Sequence, residues 1–393
     1  MKQEQIFERL SAWLLRRNTV TAVRRVGDLP IALATDIGSV RQENQDKIAV
    51  MRGDDSSGCQ YVVSALSDGM GGMQDGAVCA ALTLAAFLSD FFVRAAAGTA
   101  SVSDNLAAAA FHANSIVHAR YRGEGGATLS AVVWGAEDPI HLLNIGDSRI
   151  HVITDGELMQ LTVDDTLDGQ LAHREGSAPS GRNELLQYVG IGGVLVPHIT
   201  NFSAPPNSRV LITSDGAHYL DAALIGKIAG HASDLGLGAK RLVDIARWCG
   251  GHDNASAIML ERIELRDGHG STSGVDLCEV WDAFGEAQIM CARIEASSGV
   301  DVREPLSTPG QGQESQPSLS SHEAADALHS ASGDNKPTKS KRERRAKDPK
   351  SQGSRKKPPT ASASNTASEP KLRHKGKGEA LELDLKIDFP DKP

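Results

Sequence analysis

The feature that most constrains the fold is the order of strand-like and helix-like segments between about residues 30 and 265. Short apolar runs bounded by turn residues predict strands at 61–66, 129–134, 140–145, 149–154, 209–213 and 255–260. Only two Ala-rich stretches, 77–97 and 105–120, stand out as helices. Because strands are grouped with strands and helices with helices, we expect an α+β fold with antiparallel pairing.

The rest of the 393-residue chain divides into four appended segments. Residues 1–29 predict an amphipathic N-terminal helix, with Ile6, Leu10, Trp13 and Leu14 on one face; an anionic membrane surface is an alternative partner for its arginines, but packing on its own domain is favoured. Residues 266–296 predict an appended helix. Residues 297–380, poor in large apolar side chains, predict a disordered basic linker, and the alternating pattern of 381–393 predicts a short terminal strand.

The composition narrows the compartment and the partners. The five cysteines form no C-x-x-C pair, which argues against a disulfide framework or a thiolate zinc site and favours a reducing cytoplasm. We recognise no signal peptide and no apolar run long enough for a transmembrane segment. Residues 336–377 carry 15 Lys and Arg against three acidic residues, although the net charge of the chain is -9.

Acidic residues recur at the ends of the predicted strands. Asp46 opens the run 47–52 and Asp68 closes the run 61–67, so a hairpin through 53–58 brings both carboxylates to one end of a sheet. Asp147, Asp215 and Asp253 also lie at strand ends. Asp beside Gly is a common turn residue, which is the structural alternative for each site alone. Gathered carboxylates, however, repel one another unless a cation lies between them, and all-oxygen ligands select Mg²⁺ or Mn²⁺.

Seven motifs in fixed order resemble the metal-dependent protein phosphatase 2C family of Ser/Thr phosphatases in its bacterial form. They are Asp36-Ile37-Gly38 with residues 41–46 (RQENQD), 67–72 (SDGMGG), 126–128 (GAT), 146–149 (GDSR), 162–166 (TVDDT), 214–216 (SDG) and 253–256 (DNAS). The resemblance covers about 225 residues. It implies a four-layer αββα sandwich, in which two antiparallel sheets are flanked by helices, with a two-metal centre at one end.

The resemblance also implies the roles of individual residues. Two Mg²⁺ or Mn²⁺ ions would be held by Asp46, Asp68, the carbonyl of Gly69, Asp215 and Asp253, directly or through water. Asp147 with Asp215 would offer a possible third metal site, and Asp164 occupies a position often acidic near the metals. Arg41 would clamp the substrate phosphate, since a guanidinium matches phosphate oxygens in a bidentate manner; the alternative is an ordinary surface arginine.

The implied reaction is in-line attack on phosphoserine or phosphothreonine by a water that bridges the two ions. Departures from the family pattern are Met70 where eukaryotic members have histidine, Gln45 in place of glutamate, and Asp165 in place of histidine. None removes a principal ligand, so we expect an active phosphatase whose substrate is a phosphoprotein and whose counterpart is a Ser/Thr kinase.

A second hypothesis is a weak or inactive phosphatase fold that acts as a binding protein through its basic tail. The tail offers contacts to an acidic partner, but no aromatic residue lies between residues 336 and 377, so specific nucleic-acid binding is not expected. The terminal segment 381–393 is equally consistent with docking on a sheet edge and with no role.

Overall fold

The computed structural model describes residues 2–16, 20–70, 73–135, 139–170, 184–193, 195–265 and 275–293. Within these ranges the strands are β1 (Thr21–Arg25), β2 (Ile31–Asp36), β3 (Lys47–Asp54), β4 (Gln60–Ser67), β5 (Leu129–Trp134), β6 (Ile140–Ile145), β7 (Arg149–Thr154), β8 (Glu157–Gln160), β9 (His198–Phe202), β10 (Arg209–Thr213), β11 (Ala255–Leu260), β12 (Val275–Trp281) and β13 (Glu286–Ala292). The helices are α1 (Lys2–Leu14), α2 (Gly76–Ala97), α3 (Val102–Tyr121), α4 (Asp215–His218), α5 (Ala222–Gly230) and α6 (Leu235–Trp248).

The strands form two antiparallel sheets. One has the order β1-β2-β11-β10-β7-β8, and the other β13-β12-β3-β4-β5-β6-β9. Alternate side chains of a strand face opposite sides of its sheet, and β2 shows this plainly, because Ile31 and Leu33 pack between the sheets while Ala32 and Ala34 pack towards α5 and α6. The α+β sandwich expected from the sequence is confirmed.

Three hydrophobic clusters correspond to the three interfaces between four layers. The first joins α1, α2 and α3 to the β3–β6 sheet, the second lies between the sheets, and the third joins the other sheet to α4–α6. The small side chains of α2 allow α2 and α3 to pack closely, and Phe87 and Phe91 fill the space towards Tyr61. The helices therefore brace both sheets from outside and leave the ends of the strands open for a site.

One helix has a longer apolar stretch than we expected from the sequence. Helix α2 has the length and composition of a membrane-crossing helix, which the sequence reading overlooked, but most of its residues are buried within the protein. Among the described residues it is the single helix that passes this test. Its apolar character is explained by its position in the core, where it packs against α1, α3 and the sheet that contains β3 and β4.

The N-terminal helix is shorter than predicted. Helix α1 ends at Leu14, and Thr21–Arg25, which we included in the predicted extension, is an edge strand paired with β2. The apolar face itself is as predicted, because Ile6, Leu10 and Leu14 are buried in the cluster with α2. This face is used for packing on the chain's own domain.

The predicted appended helix at 266–296 is wrong. Its described part is the β12–β13 hairpin, which extends the sheet beside β3. The sequence signal that we missed is the turn at residues 282–285. The carboxylate of Asp282 stabilises this turn by accepting hydrogen bonds from the backbone N–H groups of Phe284 and Gly285. An Asp that caps its own turn competes with helix formation, and Gly285 adds a further penalty within a helix. The predicted linker and terminal strand lie outside the described residues.

Replacing Leu10 by alanine tests whether α1 belongs to the core. Leu10 is fully buried against α2, so we expect Leu10→Ala to lower the free energy of unfolding by about 2–5 kcal/mol. Urea unfolding followed by circular dichroism measures the change. Leu15→Ala, at a side chain 41% exposed, is the matched control and should cost much less; equal losses would show that α1 is not part of the core.

Candidate metal-dependent active site

The strand register brings the predicted acidic residues to one end of the sandwich. Lys47 pairs with Ser67, so Asp46 and Asp68 flank adjacent strand ends as the hairpin predicted. In the other sheet Thr213 lies between Arg149 and Ala257, which brings Asp215, Asp147 and Asp253 to that sheet's corresponding end. A hydrogen bond of 2.8 Å from Ser214 Oγ, at the end of β10, to Asp46 Oδ2, at the start of β3, joins the two sheets at this end.

Asp46 is held by a network from three parts of the chain. Its Oδ2 accepts a hydrogen bond from Ser214 Oγ at 2.8 Å, and Ser214 Oγ in turn accepts one from the Ser256 backbone N–H at 2.9 Å. The other oxygen, Asp46 Oδ1, is buried without a hydrogen-bond partner in the described part of the chain. Leaving a buried carboxylate oxygen unpaired is costly, so this atom is a natural position for a cation.

Asp68 and Gly69 are placed by backbone contacts on both sides. The Asp68 N–H donates to Thr128 Oγ1 at 2.9 Å, and the Gly69 N–H donates to the Gln45 carbonyl at 3.3 Å. A Cβ on Gly69 would lie 2.2 Å from the Gly76 carbonyl oxygen. Glycine is therefore required where the chain passes the start of α2.

Burial and crowding change the protonation of the carboxylates. Burial raises the pKa of Asp68 well above its ordinary value, and the charges of Asp46, Asp215 and Asp147 raise it further. Burial is also the largest cause for Asp215, whose pKa rises to about 7, and for Asp147, whose pKa rises to about 6. Burial raises the pKa of Asp46, while hydrogen bonds from Ser256 and Ser214 oppose the shift. Burial and mutual repulsion therefore oppose the simultaneous ionisation of these carboxylates unless cations lie between them.

Arg41 lies at the edge of this acidic cluster. Its Nη2 donates to Asp253 Oδ2 at 2.6 Å, and both side chains are partly exposed. This hydrogen bond raises the pKa of Arg41, and the charges of Asp215 and Asp68 contribute to the same shift. The Arg41 guanidinium, at the edge of the acidic site, is well placed to bind an anion such as a phosphate group.

A cavity of about 470 Å³ opens beside these residues, and its walls include Asp147, Asp164, Asp215, Asp253 and Arg149. Asp164 faces Arg149, which donates to both of its carboxylate oxygens at 2.7–3.0 Å. The structure therefore places Asp164 beside the predicted site but engages it with an arginine. Among the described residues, no three Asp, Glu, His or Cys side chains lie close enough together to hold one metal ion as they are placed.

Several residues that position the site were not assigned a role from the sequence. The side-chain oxygen of Asn254 accepts a hydrogen bond from the Gln45 N–H, and its side-chain nitrogen donates to the carbonyls of Ile37 and Glu43. These hydrogen bonds fix the loop that carries Arg41 and Asp46. Asp165 accepts from the Gly146 N–H at 2.9 Å and from His198 Nε2 at 2.8 Å, which fixes the turn that carries Asp147. Asn254 lies inside a recognised motif, but the His198 contact joins residues 33 positions apart and left no local signal.

The family model for protein phosphatase 2C matches residues 39–222. This segment of the chain belongs to the protein phosphatase 2C family. A curated relative, the serine/threonine protein phosphatase PstP of Mycobacterium tuberculosis, is 29% identical over 272 residues, which are 63% of this chain and 49% of PstP. This chain thus spans about half the length of that relative.

Two further comparisons cover a phosphatase over nearly its full length. A putative 2C-type phosphatase of Streptococcus pyogenes is 27% identical over 243 residues, 59% of this chain and 97% of that protein. The crystal structure of M. tuberculosis PstP/Ppp superposes with a TM-score of 0.50 and 27% identity, covering 61% of this chain and 100% of the other.

Replacing Gly69 by alanine tests the tight packing beneath the site. The new methyl group would overlap the Gly76 carbonyl, so we expect a loss of about 1–3 kcal/mol in the free energy of unfolding and weaker Mn²⁺ binding, measured by urea unfolding and calorimetry. Gly135→Ala is the matched control, because a Cβ there meets no heavy atom within 4 Å in the described part of the chain. If both variants bind Mn²⁺ like the wild type, Gly69 does not shape the site.

Proposed function

We propose that this chain is a metal-dependent protein serine/threonine phosphatase. The observation that carries the proposal is the convergence of buried aspartates whose charges raise one another's pKa, with Arg41 at their edge. Such a cluster favours divalent cations, and a cation-filled acidic site beside an arginine suits a phosphate ester. Membership of the phosphatase 2C family supports the same reaction.

The donor set fits two hard divalent ions. Asp46, Asp68, Asp215, Asp253 and the carbonyl of Gly69 offer oxygen only, which suits Mg²⁺ or Mn²⁺. Asp215 Oδ1, like Asp46 Oδ1, is buried without a hydrogen-bond partner in the described ranges, so two of the proposed ligands have an oxygen ready for a cation. Asp147 with Asp215, on the wall of the adjoining cavity, would hold a third ion.

Two divalent ions held by these residues would supply a more acidic water as the nucleophile and would neutralise charge on the phosphoryl oxygens. The chain's own residues supply position and selectivity. Arg41 exchanges its contact with Asp253 for the substrate phosphate, and its planar fork orients the phosphoryl group. Ser214 holds Asp46 through Oδ2 so that Oδ1 faces away from the hydrogen bond.

We propose that the physiological substrates are phosphoproteins made by a cytoplasmic protein Ser/Thr kinase, whose action this chain reverses. The basic segment 336–377 supports a second contact, to an acidic surface of a partner. That contact is expected to weaken as salt is raised, because charge is the feature that the segment offers.

Phosphate release tests the proposal directly. The full chain is incubated with a phosphothreonine peptide in Mn²⁺, in Mg²⁺ and in chelator, and released phosphate is measured. We expect turnover with a divalent ion and none in chelator. Absence of turnover with either ion would favour the alternative, a phosphatase fold that serves as a binding protein.

A further inference from the structure

Three exposed apolar side chains lie on chain segments that lead into the candidate active site. They are Val40, Tyr219 and Trp248, whose exposed fractions are 63%, 46% and 82%, and we name these three side chains the aromatic rim. Trp248, at the end of α6, is the most exposed large apolar side chain among the described residues. Exposed aromatic side chains are costly in water and common at binding surfaces.

Hydrogen bonds hold Tyr219 and the loop that carries Val40 to the turn that follows Trp248. The Tyr219 hydroxyl donates to the Ala246 carbonyl at 2.7 Å, and the same carbonyl accepts from the Gly251 N–H at 3.1 Å. The Gly251 carbonyl accepts from the Ser39 N–H at 2.8 Å, immediately before Val40. The rim therefore consists of side chains around the turn that ends α6.

The same turn leads into the active site. His252 and Asp253 follow it and line the cavity, as does Tyr219, and Arg41 follows Val40. Gly38 has a φ of +82°, and a Cβ there would lie 2.3 Å from the Asp253 carbonyl oxygen. This close approach fixes the loop that carries Val40 and Arg41 against the segment that carries Asp253, so the rim and the phosphate-binding edge are held together.

The rim offers apolar area and no unpaired charge of its own. The arginines adjacent in sequence to Val40 and Trp248 are paired, because Arg41 contacts Asp253 at 2.6 Å and Arg247 contacts Asp36 at 3.4 Å. A ligand that reaches the rim from the cavity thus passes from a site for a phosphate to a surface for an apolar group.

We propose that the aromatic rim binds an apolar side chain next to the phosphorylated residue of a substrate, so that the preferred substrates are phosphopeptides with Leu or Phe beside phosphoserine or phosphothreonine. This inference rests on the proposed phosphatase function and adds a substrate class to it. Tyr and Trp are suited to this role because they present a large rigid area with little loss of side-chain entropy.

Two phosphothreonine peptides that differ at one position test the proposal. One has Leu next to the phosphothreonine and the other has Ser, and both are assayed with the full chain in Mn²⁺. For the wild type we expect a KM about tenfold lower for the Leu peptide. Trp248→Ala should remove most of this difference by raising the KM of the Leu peptide, with kcat changed less than about twofold, and Trp248→Phe should retain most of it.

Met290→Ala is the matched control. Met290 is 69% exposed on β13, so it is an apolar surface residue outside the rim, and we expect this variant to keep the wild-type preference. Equal KM values for both peptides in the wild type, or an unchanged preference in Trp248→Ala, would overturn the inference. A shift from dimer to monomer in Trp248→Ala during sedimentation would assign the rim to self-association instead and would also overturn it.

A separate measurement distinguishes failure of the proposed phosphatase function from failure of the rim proposal. If neither peptide is hydrolysed by the wild type, the proposed function fails, and fluorescence anisotropy with both labelled peptides then tests the rim alone. Tighter binding of the Leu peptide, lost in Trp248→Ala, supports the rim; equal binding of the two peptides contradicts it.

Discussion

Asp215→Asn is expected to reduce metal-dependent phosphate release by at least about a hundredfold. Even residues that only support metal ligands typically contribute ten- to a hundredfold, and Asp215 is a proposed direct ligand with a buried, unpartnered oxygen. The substitution keeps the side-chain shape but removes the charge that a divalent ion requires. Turnover of a phosphothreonine peptide in Mn²⁺ measures the loss.

The control for this experiment is Asp244→Asn. Asp244 lies on α6 and pairs with Lys240 one helical turn away, so the same change of charge is made outside the site. We expect it to leave turnover within about twofold of the wild type, since exposed ion pairs contribute little. Phosphate release by Asp215→Asn at the wild-type rate would show that the metal-site assignment is wrong.

The sequence predicted the framework of the site because the decisive signals are local. Strand boundaries at 129–134, 140–145, 149–154, 209–213 and 255–260 agree with the structure, since each run is apolar and ends at a turn residue. The convergence of Asp46 and Asp68 followed from one hairpin. Antiparallel pairing alone then decides which strand ends meet.

What the sequence did not predict depends on contacts between distant parts of the chain. The bond between Ser214 and Asp46 joins residues 168 positions apart, and that between Arg41 and Asp253 joins residues 212 apart. The hairpin β12–β13 was misread as a helix because Leu277, Val280, Trp281 and Phe284 also fit a helical spacing. Pairing of β12 with β3 decided in favour of a strand, which illustrates how tertiary contacts override local propensity.

Metal binding should be strongly dependent on pH. The raised pKa values of Asp147, about 6, and Asp215, about 7, mean that the folded chain without metal holds protons that the unfolded chain has released. Its free energy of unfolding should therefore fall as pH rises from about 4 through 7 and level off above that range. A divalent ion replaces these protons, so its affinity should rise about tenfold per pH unit for each proton released.

Urea unfolding at pH 5.5, 6.5 and 7.5, with chelator or with Mn²⁺, measures this linkage. We expect the stabilisation by Mn²⁺ to grow with pH, because fewer protons then compete for the carboxylates. Asp215→Asn should flatten the dependence, whereas Asp244→Asn should preserve it. Equal stabilisation by Mn²⁺ at pH 5.5 and 7.5 would contradict the proposal that the repelling carboxylates are the metal ligands. Repulsion between the crowded carboxylates raises their pKa values, and a cation between them relieves that repulsion. The same crowding that destabilises the chain without metal therefore makes these aspartates a metal-binding site.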